Sequence, residues 1–183
     1  MRVLCIDWET MGLEEDAPLL CLGYVSGDTA TGDVYATNEI IVPKEYNVKY
    51  NRPYDLSTIL WWLDQAAKSS DLQSYIISTL RRMELTSMTD LAGDLHDLSQ
   101  HITTKKLEGI FCTDKNFDFL FYKQILRDCC IPMPFTYRQI FETRYWQQHG
   151  AKEVFENTKS EGVSHRAEDD AMWLFRALSV IIP

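Results

Sequence analysis

Four carboxylates and one histidine are the residues of this sequence best suited to chemistry. Asp7 and Glu9 follow the apolar run 3–6, which reads as a strand buried on both faces. The two-residue period of a strand sends both side chains to one face, with Cα atoms about 6.6 Å apart, and turns Trp8 into the core. Carboxylates so placed repel each other and resist leaving water. No Lys or Arg lies between Arg2 and Lys44 to neutralise them. A bound cation would do so. The plainer alternative is that both mark the exposed end of the strand.

Asp118 falls in the first turn of a helix expected over 116–128, directly after a short apolar strand at 107–112. The helix dipole alone favours an acidic residue there. Its neighbours Phe117, Phe119, Leu120 and Phe121 set it at the border of the core, near the carboxyl end of a strand, where ligands collect in open α/β sheets. Asp170 lies on the last expected helix, 166–180, on one stripe with Ala167, Ala171, Leu174, Leu178 and Ile181. A carboxylate on a buried stripe needs a partner: a salt bridge, with Arg166 as the candidate, or a metal. Asp169 turns toward solvent. His165 cannot share a face with Asp170 in a continuous helix. It belongs at or just before the helix start, with Ser164 as a candidate cap. A loop imidazole can then swing over a site held by the helix. His96, His101 and His149 read as surface or packed residues. Each signal alone is unspecific, but four carboxylates from three ordered elements, with a histidine beside the fourth, are much stronger together.

The elements that must position these residues are legible in outline. Strands are expected at 3–6, at 19–25 and within 34–42, separated by the turn signals Gly27-Asp28 and Gly32-Asp33. That is an antiparallel meander. The polar, Tyr-rich stretch 43–53 reads as loop. Helices follow at 55–68, 72–83 and 88–102, the last with Leu91, Leu95, Leu98 and Ile102 on one face. A fifth strand is expected within 135–141, then a helix to about 149, with Gly162 before the last helix. The order gives an α/β fold: a mixed sheet of about five strands, three antiparallel and then two parallel, flanked by helices. The right-handed crossover rule puts the fourth strand beside the first.

The 183 residues fit one domain, 1–183, with a helical insertion at about 43–105. Hydrophobic residues make up 45% and aromatic residues 12%, which excludes a disordered chain. Lys and Arg number 18 against 27 Asp and Glu, a net charge of −9. This excludes nucleic-acid binding through a basic coat, but not an enzyme whose acidic site holds cations. The five cysteines are odd in number and form no C-x-x-C pair, and Asp7 arrives too early for a secretory leader. A cytoplasmic, reducing location is expected. No apolar run is long enough to span a membrane.

Three segments resemble the motifs of the DEDDh 3′→5′ exonucleases, which have a ribonuclease H-like fold. They are Ile6-Asp7-Trp8-Glu9-Thr10-Met11-Gly12, Asn116-Phe117-Asp118-Phe119 and His165-Arg166-Ala167-Glu168-Asp169-Asp170-Ala171. Ser57-Thr58-Ile59-Leu60-Trp61-Trp62 resembles a stretch of the phage-type and exonuclease VIII-like members. Two departures stand out. Asp114-Lys115-Asn116 replaces the usual small residue before the second motif, and Glu142-Thr143-Arg144-Tyr145 only partly matches a downstream Asp-x-Arg-Thr.

The resemblance implies phosphodiester hydrolysis with two Mg²⁺ or Mn²⁺ ions, whose charge would balance the four carboxylates. By the same resemblance Asp7 bridges both ions, Glu9 and Asp170 serve the ion that activates water, and Asp118 positions the other. His165 takes the proton of the attacking water. The backbone around Thr10, Met11 and Gly12 meets the terminal nucleotide. Trp62 belongs to an apolar stripe with Ile59, Leu63 and Ala66. Trp61 either stacks on a base or packs beneath the loop at 46–54.

The expected activity is 3′→5′ removal of 5′-mononucleotides from single-stranded DNA, with an exoribonuclease acting on RNA ends or oligoribonucleotides as the alternative. A non-catalytic binding module and an endonuclease of the same fold are the competing classes. The implied partner is nucleic acid with a free 3′ end. Family analogy allows a homodimer, and no fused polymerase or helicase domain is expected.

Overall fold

β1 (Arg2–Thr10), β2 (Leu19–Asp28), β3 (Asp33–Ile41), β4 (Gly109–Cys112) and β5 (Ile140–Glu142) form one sheet in the order β3-β2-β1-β4-β5. β1 pairs antiparallel with β2, and β2 with β3. β1 pairs parallel with β4, and β4 with β5. This is the mixed five-strand sheet expected from the sequence, with β4 beside β1. In this computed structural model the residues described are 1–113, 115–144, 151–158 and 165–182, without the side chains of Lys115 and Asn116. The helix expected to about 149, Gly162 and Ser164 lie outside them.

β1 is the central strand, and its alternation organises the molecule. Leu4, Ile6 and Trp8 enter one core with Leu22, Ile110, Phe121 and Ile125. Covering that face are α4 (Met88–Lys105), through Leu91, Leu95, Leu98 and Ile102, and α5 (Leu120–Asp128). Val3 and Cys5 enter a second core with Ala171, Leu174, Phe175 and Leu178 of α7 (Ala167–Ile181). Asp7 and Glu9 share the face of Val3 and Cys5, so they lie under the start of α7. β1 reaches Thr10 because its pairing with β2 continues through Asp7–Gly23 and Glu9–Cys21.

Between β3 and β4 come α1 (Lys44–Lys49), α2 (Leu56–Lys68), α3 (Ser70–Leu85) and α4. Their starts follow the capping rules. Asp55 accepts from the amides of Ser57 and Thr58, Ser69 accepts from Leu72, and Ser87 with Asp90 forms a capping box. α2 and α3 touch the sheet through a small third core of Met11, Leu20, Cys21, Ile41, Trp62, Leu72, Met83 and Ala167.

Several expectations are corrected. The stretch read as loop contains α1, whose Tyr46 is fully buried and donates to Asp128 Oδ2 at 2.9 Å. Asn47 beside it exchanges two side-chain hydrogen bonds with the backbone of Leu19. Tertiary contact makes this six-residue helix, not its own periodicity. The fifth strand is shorter than expected because residues 137–139 form a 3₁₀ turn. A short helix, α6 (Lys152–Asn157), was not anticipated; it buries only Phe155. Of the apolar stripe on α2 only Trp62 is buried, and Leu63 is 60% exposed.

Candidate active site

Three carboxylates converge under the first turn of α7. Asp7 and Glu9 come from β1 and Asp170 from the helix, and one ligand oxygen from each lies within 4.8 Å of the others. The backbone N–H of His165 donates to Asp170 Oδ2 at 3.1 Å. Arg166, the candidate salt-bridge partner, turns to Glu168 at 3.6 Å and Asp169 at 3.8 Å instead.

The electrostatics of the cluster are those of groups that want a proton or a cation. Burial pushes the Asp7 carboxyl well above the ordinary range, and the charges of Asp118 and Asp170 push it further. Glu9 is raised by burial first, then by Asp7, Asp170, Glu39 and Asp118. Asp170 is raised by burial against the opposing pull of the His165 amide. Asp118 is 4% exposed and Glu9 7%, so solvent screens little of this repulsion. Such a set, oxygen-only and confined, fits a hard divalent cation such as Mg²⁺ or Mn²⁺.

Asp118 is placed by an element the sequence did not announce. A single π turn, Lys115–Phe119, links β4 to α5 where a regular helix start was expected. π turns recur at functional positions because they re-aim one side chain without ending the helix. Phe117 stands edge-on to Phe121 with centroids 4.7 Å apart, which seats the turn on the core. Asp118 is not part of the close triplet, but its charge acts on both Asp7 and Glu9.

His165 sits directly before α7, as expected, in a left-handed conformation with φ of 66°. Its ring lies edge-on to Trp61 at 4.9 Å and to Trp62 at 6.2 Å. Trp62 is core, and its Nε1–H donates to the carbonyl of Thr10 at 2.9 Å. Trp61 is 40% exposed, with Trp62 and His165 as its ring partners. It therefore faces the site rather than packing beneath the loop. Together with Glu9, Thr10, Leu13 and Phe117, the two tryptophans line a largely apolar cavity of about 410 Å³ beside the carboxylates.

The segment 10–12 is tightly tied into the protein. The Thr10 hydroxyl donates to the Gly12 carbonyl at 2.7 Å, and the Met11 N–H to the Pro18 carbonyl at 2.8 Å. The Met11 carbonyl accepts from Asp55. A Cβ on Gly12 would stand 2.9 Å from the Ala17 Cβ, so its close approach is to Ala17. Sequence reasoning passed over two lining residues, Leu13 and Phe117. Leu13 is 79% exposed; an apolar residue immediately after a motif glycine was the available signal. Phe117 was read as apolar surface around Asp118 and as part of the second motif, not as a lining residue.

Among the described residues no helix is long and apolar enough to cross a membrane. No curated protein matches this chain in sequence. A crystal structure of a full-length 3′-exonuclease matches with a TM-score of 0.51 at 12% identity, covering 99% of this chain and 81% of that one. That likeness concerns the fold: the same mixed sheet flanked by helices. The profile of the 3′-5′ exoribonuclease Rv2179c-like domain matches residues 2–182. With that profile running across β1, the π turn and α7, the chain belongs to the Rv2179c-like family of 3′-5′ exoribonuclease domains.

Proposed function

We propose that this protein is a DEDDh-type 3′→5′ exonuclease that releases 5′-mononucleotides from the 3′ end of RNA. The observation that carries the reading is the convergence of Asp7, Glu9 and Asp170 within 4.8 Å at the mouth of an aromatic cavity. Asp7, Glu9 and Asp170 would hold divalent cations, with Asp118 positioning a second ion from the π turn. When bound, such ions offset the charge of the scissile phosphate and lower the pKa of the attacking water. The cavity would receive the terminal nucleotide, its base against Trp61 and between Leu13 and Phe117. His165, whose ring lies beside Trp61 just ahead of α7, would accept the proton of the water. The water oxygen would bond to phosphorus as the P–O3′ bond to the shortened strand breaks, and the leaving O3′ would take a proton from solvent to become the new 3′-hydroxyl.

Of the two substrates expected from the sequence, RNA is the one named in the family description, which supports placing it first. Single-stranded DNA is the other outcome of the same assay. Two 5′-labelled strands of one sequence, RNA and DNA, are incubated with protein and Mg²⁺ and read by length over time. A ladder shortening from the 3′ end of RNA, faster than of DNA, is the expected result. A ladder on DNA alone would reverse the substrate assignment. Internal cuts without dependence on a free 3′ end would replace the exonuclease by an endonuclease. Intact strands with both Mg²⁺ and Mn²⁺ would favour a binding module.

A further inference from the structure

We infer that Gly23 is a positioning residue for the carboxylate cluster: its missing side chain lets α7 rest on β2 closely enough to deliver Asp170. The inference rests on the reading of Asp7, Glu9 and Asp170 as a cation site. A Cβ on Gly23 would stand 2.0 Å from the carbonyl carbon of Ala167, 2.2 Å from its oxygen and 2.3 Å from the nitrogen of Glu168. All three are backbone atoms of the first turn of α7, so no side-chain rotation relieves the clash. Ordinary contact for a Cβ begins at 3.4 Å. The turn would therefore have to withdraw by roughly 1 Å or more, whereas a coordinating constellation tolerates about 0.5 Å.

The position matters as much as the clash. Gly23 pairs directly with Asp7 across β1 and β2. Ala167 begins the helix whose fourth residue is Asp170, and His165 stands two residues before it, its amide bonded to Asp170. The closest strand-to-helix backbone approach at a described glycine thus lies between α7, which contributes Asp170, and β2, the strand paired with the one that contributes Asp7 and Glu9. Lifting the turn would separate Asp170 from Asp7 and Glu9 while leaving β1 undisturbed. Gly27, further along β2, provides a comparison. There a Cβ would meet the Phe175 ring at 2.5 Å and the Asp33 carbonyl at 2.4 Å, more than a helical turn beyond Asp170.

The test is Mn²⁺ binding by calorimetry on wild type, Asp170→Asn, Gly23→Ala and Gly27→Ala, with folding followed by circular dichroism and melting. Wild type is expected to bind, and Asp170→Asn to lose binding. Gly23→Ala should weaken affinity by about tenfold or more, the cost of disturbing what orients a ligand. Gly27→Ala should melt earlier with wild-type affinity. A wild type that binds no Mn²⁺ would overturn the cation reading itself. A wild type that binds, with a folded Gly23→Ala of equal affinity, would overturn the role of Gly23 alone. Equal weakening in Gly27→Ala would reduce that role to general packing. If Gly23→Ala does not fold, Ala167→Val crowds the same turn from the helix side. Weakened Mn²⁺ affinity in folded Ala167→Val supports the inference, and wild-type affinity overturns it.

Discussion

Asp7 is half-buried and Glu9 buried, and the proton affinity of both carboxyls is raised by desolvation and by neighbouring charge. In the metal-free protein the neutral acids fit the fold better than the ionised ones. Their stabilising contribution is full below the ordinary carboxylate range and is lost as pH rises through the raised values. Asp7→Asn should therefore stabilise the metal-free protein at neutral pH. The gain should shrink as pH falls toward the ordinary carboxylate range. Melting curves in chelator at several pH values check both statements, and a neutral-pH loss of stability would contradict them. The same variant should lose cleavage. His165→Ala should slow turnover by about 10²–10⁴-fold while Mn²⁺ affinity, read by calorimetry, is retained. Trp61→Ala should raise KM if Trp61 stacks on a base. A fall in kcat at unchanged KM would instead mark its contact with the His165 ring as the functional one.

At the scale of elements, α2 is tied to the site by its first residues. Asp55 caps the helix, its amide bonds the Met11 carbonyl, and its carboxyl is pulled down to about 2 by the hydroxyls of Ser57 and Thr58. A lowered carboxyl contributes stability above its ordinary range and loses it as pH falls through the lowered value. Asp55→Ala should therefore melt earlier than wild type at pH 7, with the gap closing as pH is taken toward 2. A gap that persists in acid would assign the effect to packing instead of the cap. The meander, the crossover to β4 and the polar face of β1 were legible because burial on both faces gives a continuous apolar run, and period 2 then fixes where Asp7 and Glu9 point. α7 was legible to within a residue or so because its stripe is apolar except at Asp170. α1 was not, since a six-residue helix has no period to read and is held by Tyr46 and Asn47 reaching distant backbone and side chains. The π turn was not legible either, because one extra residue in a helical turn leaves no mark on the apolar periodicity. Trp61 stayed open between stacking on a base and packing beneath the loop for a related reason. Leu63 faces solvent, so the stripe that seemed to orient α2 is not the face it buries.

Over the whole molecule a net charge of −9 confronts a polyanionic substrate. Long-range repulsion should slow encounter at low ionic strength, and screening should relieve it. With Mg²⁺ saturating, kcat/KM should rise as salt is first added. A steep fall from the lowest salt upward would reveal a basic track that releases counterions, contrary to this account. The proposed role of Asp7, Glu9 and Asp170 as holders of divalent cations for a 3′→5′ exonuclease can be seen by anomalous diffraction from crystals grown with Mn²⁺ and a short non-hydrolysable RNA. Manganese between those three carboxylates, with the 3′-terminal nucleotide in the cavity beside Trp61, is the predicted result. Carboxylates free of manganese, or an RNA 3′ end bound elsewhere, would contradict it.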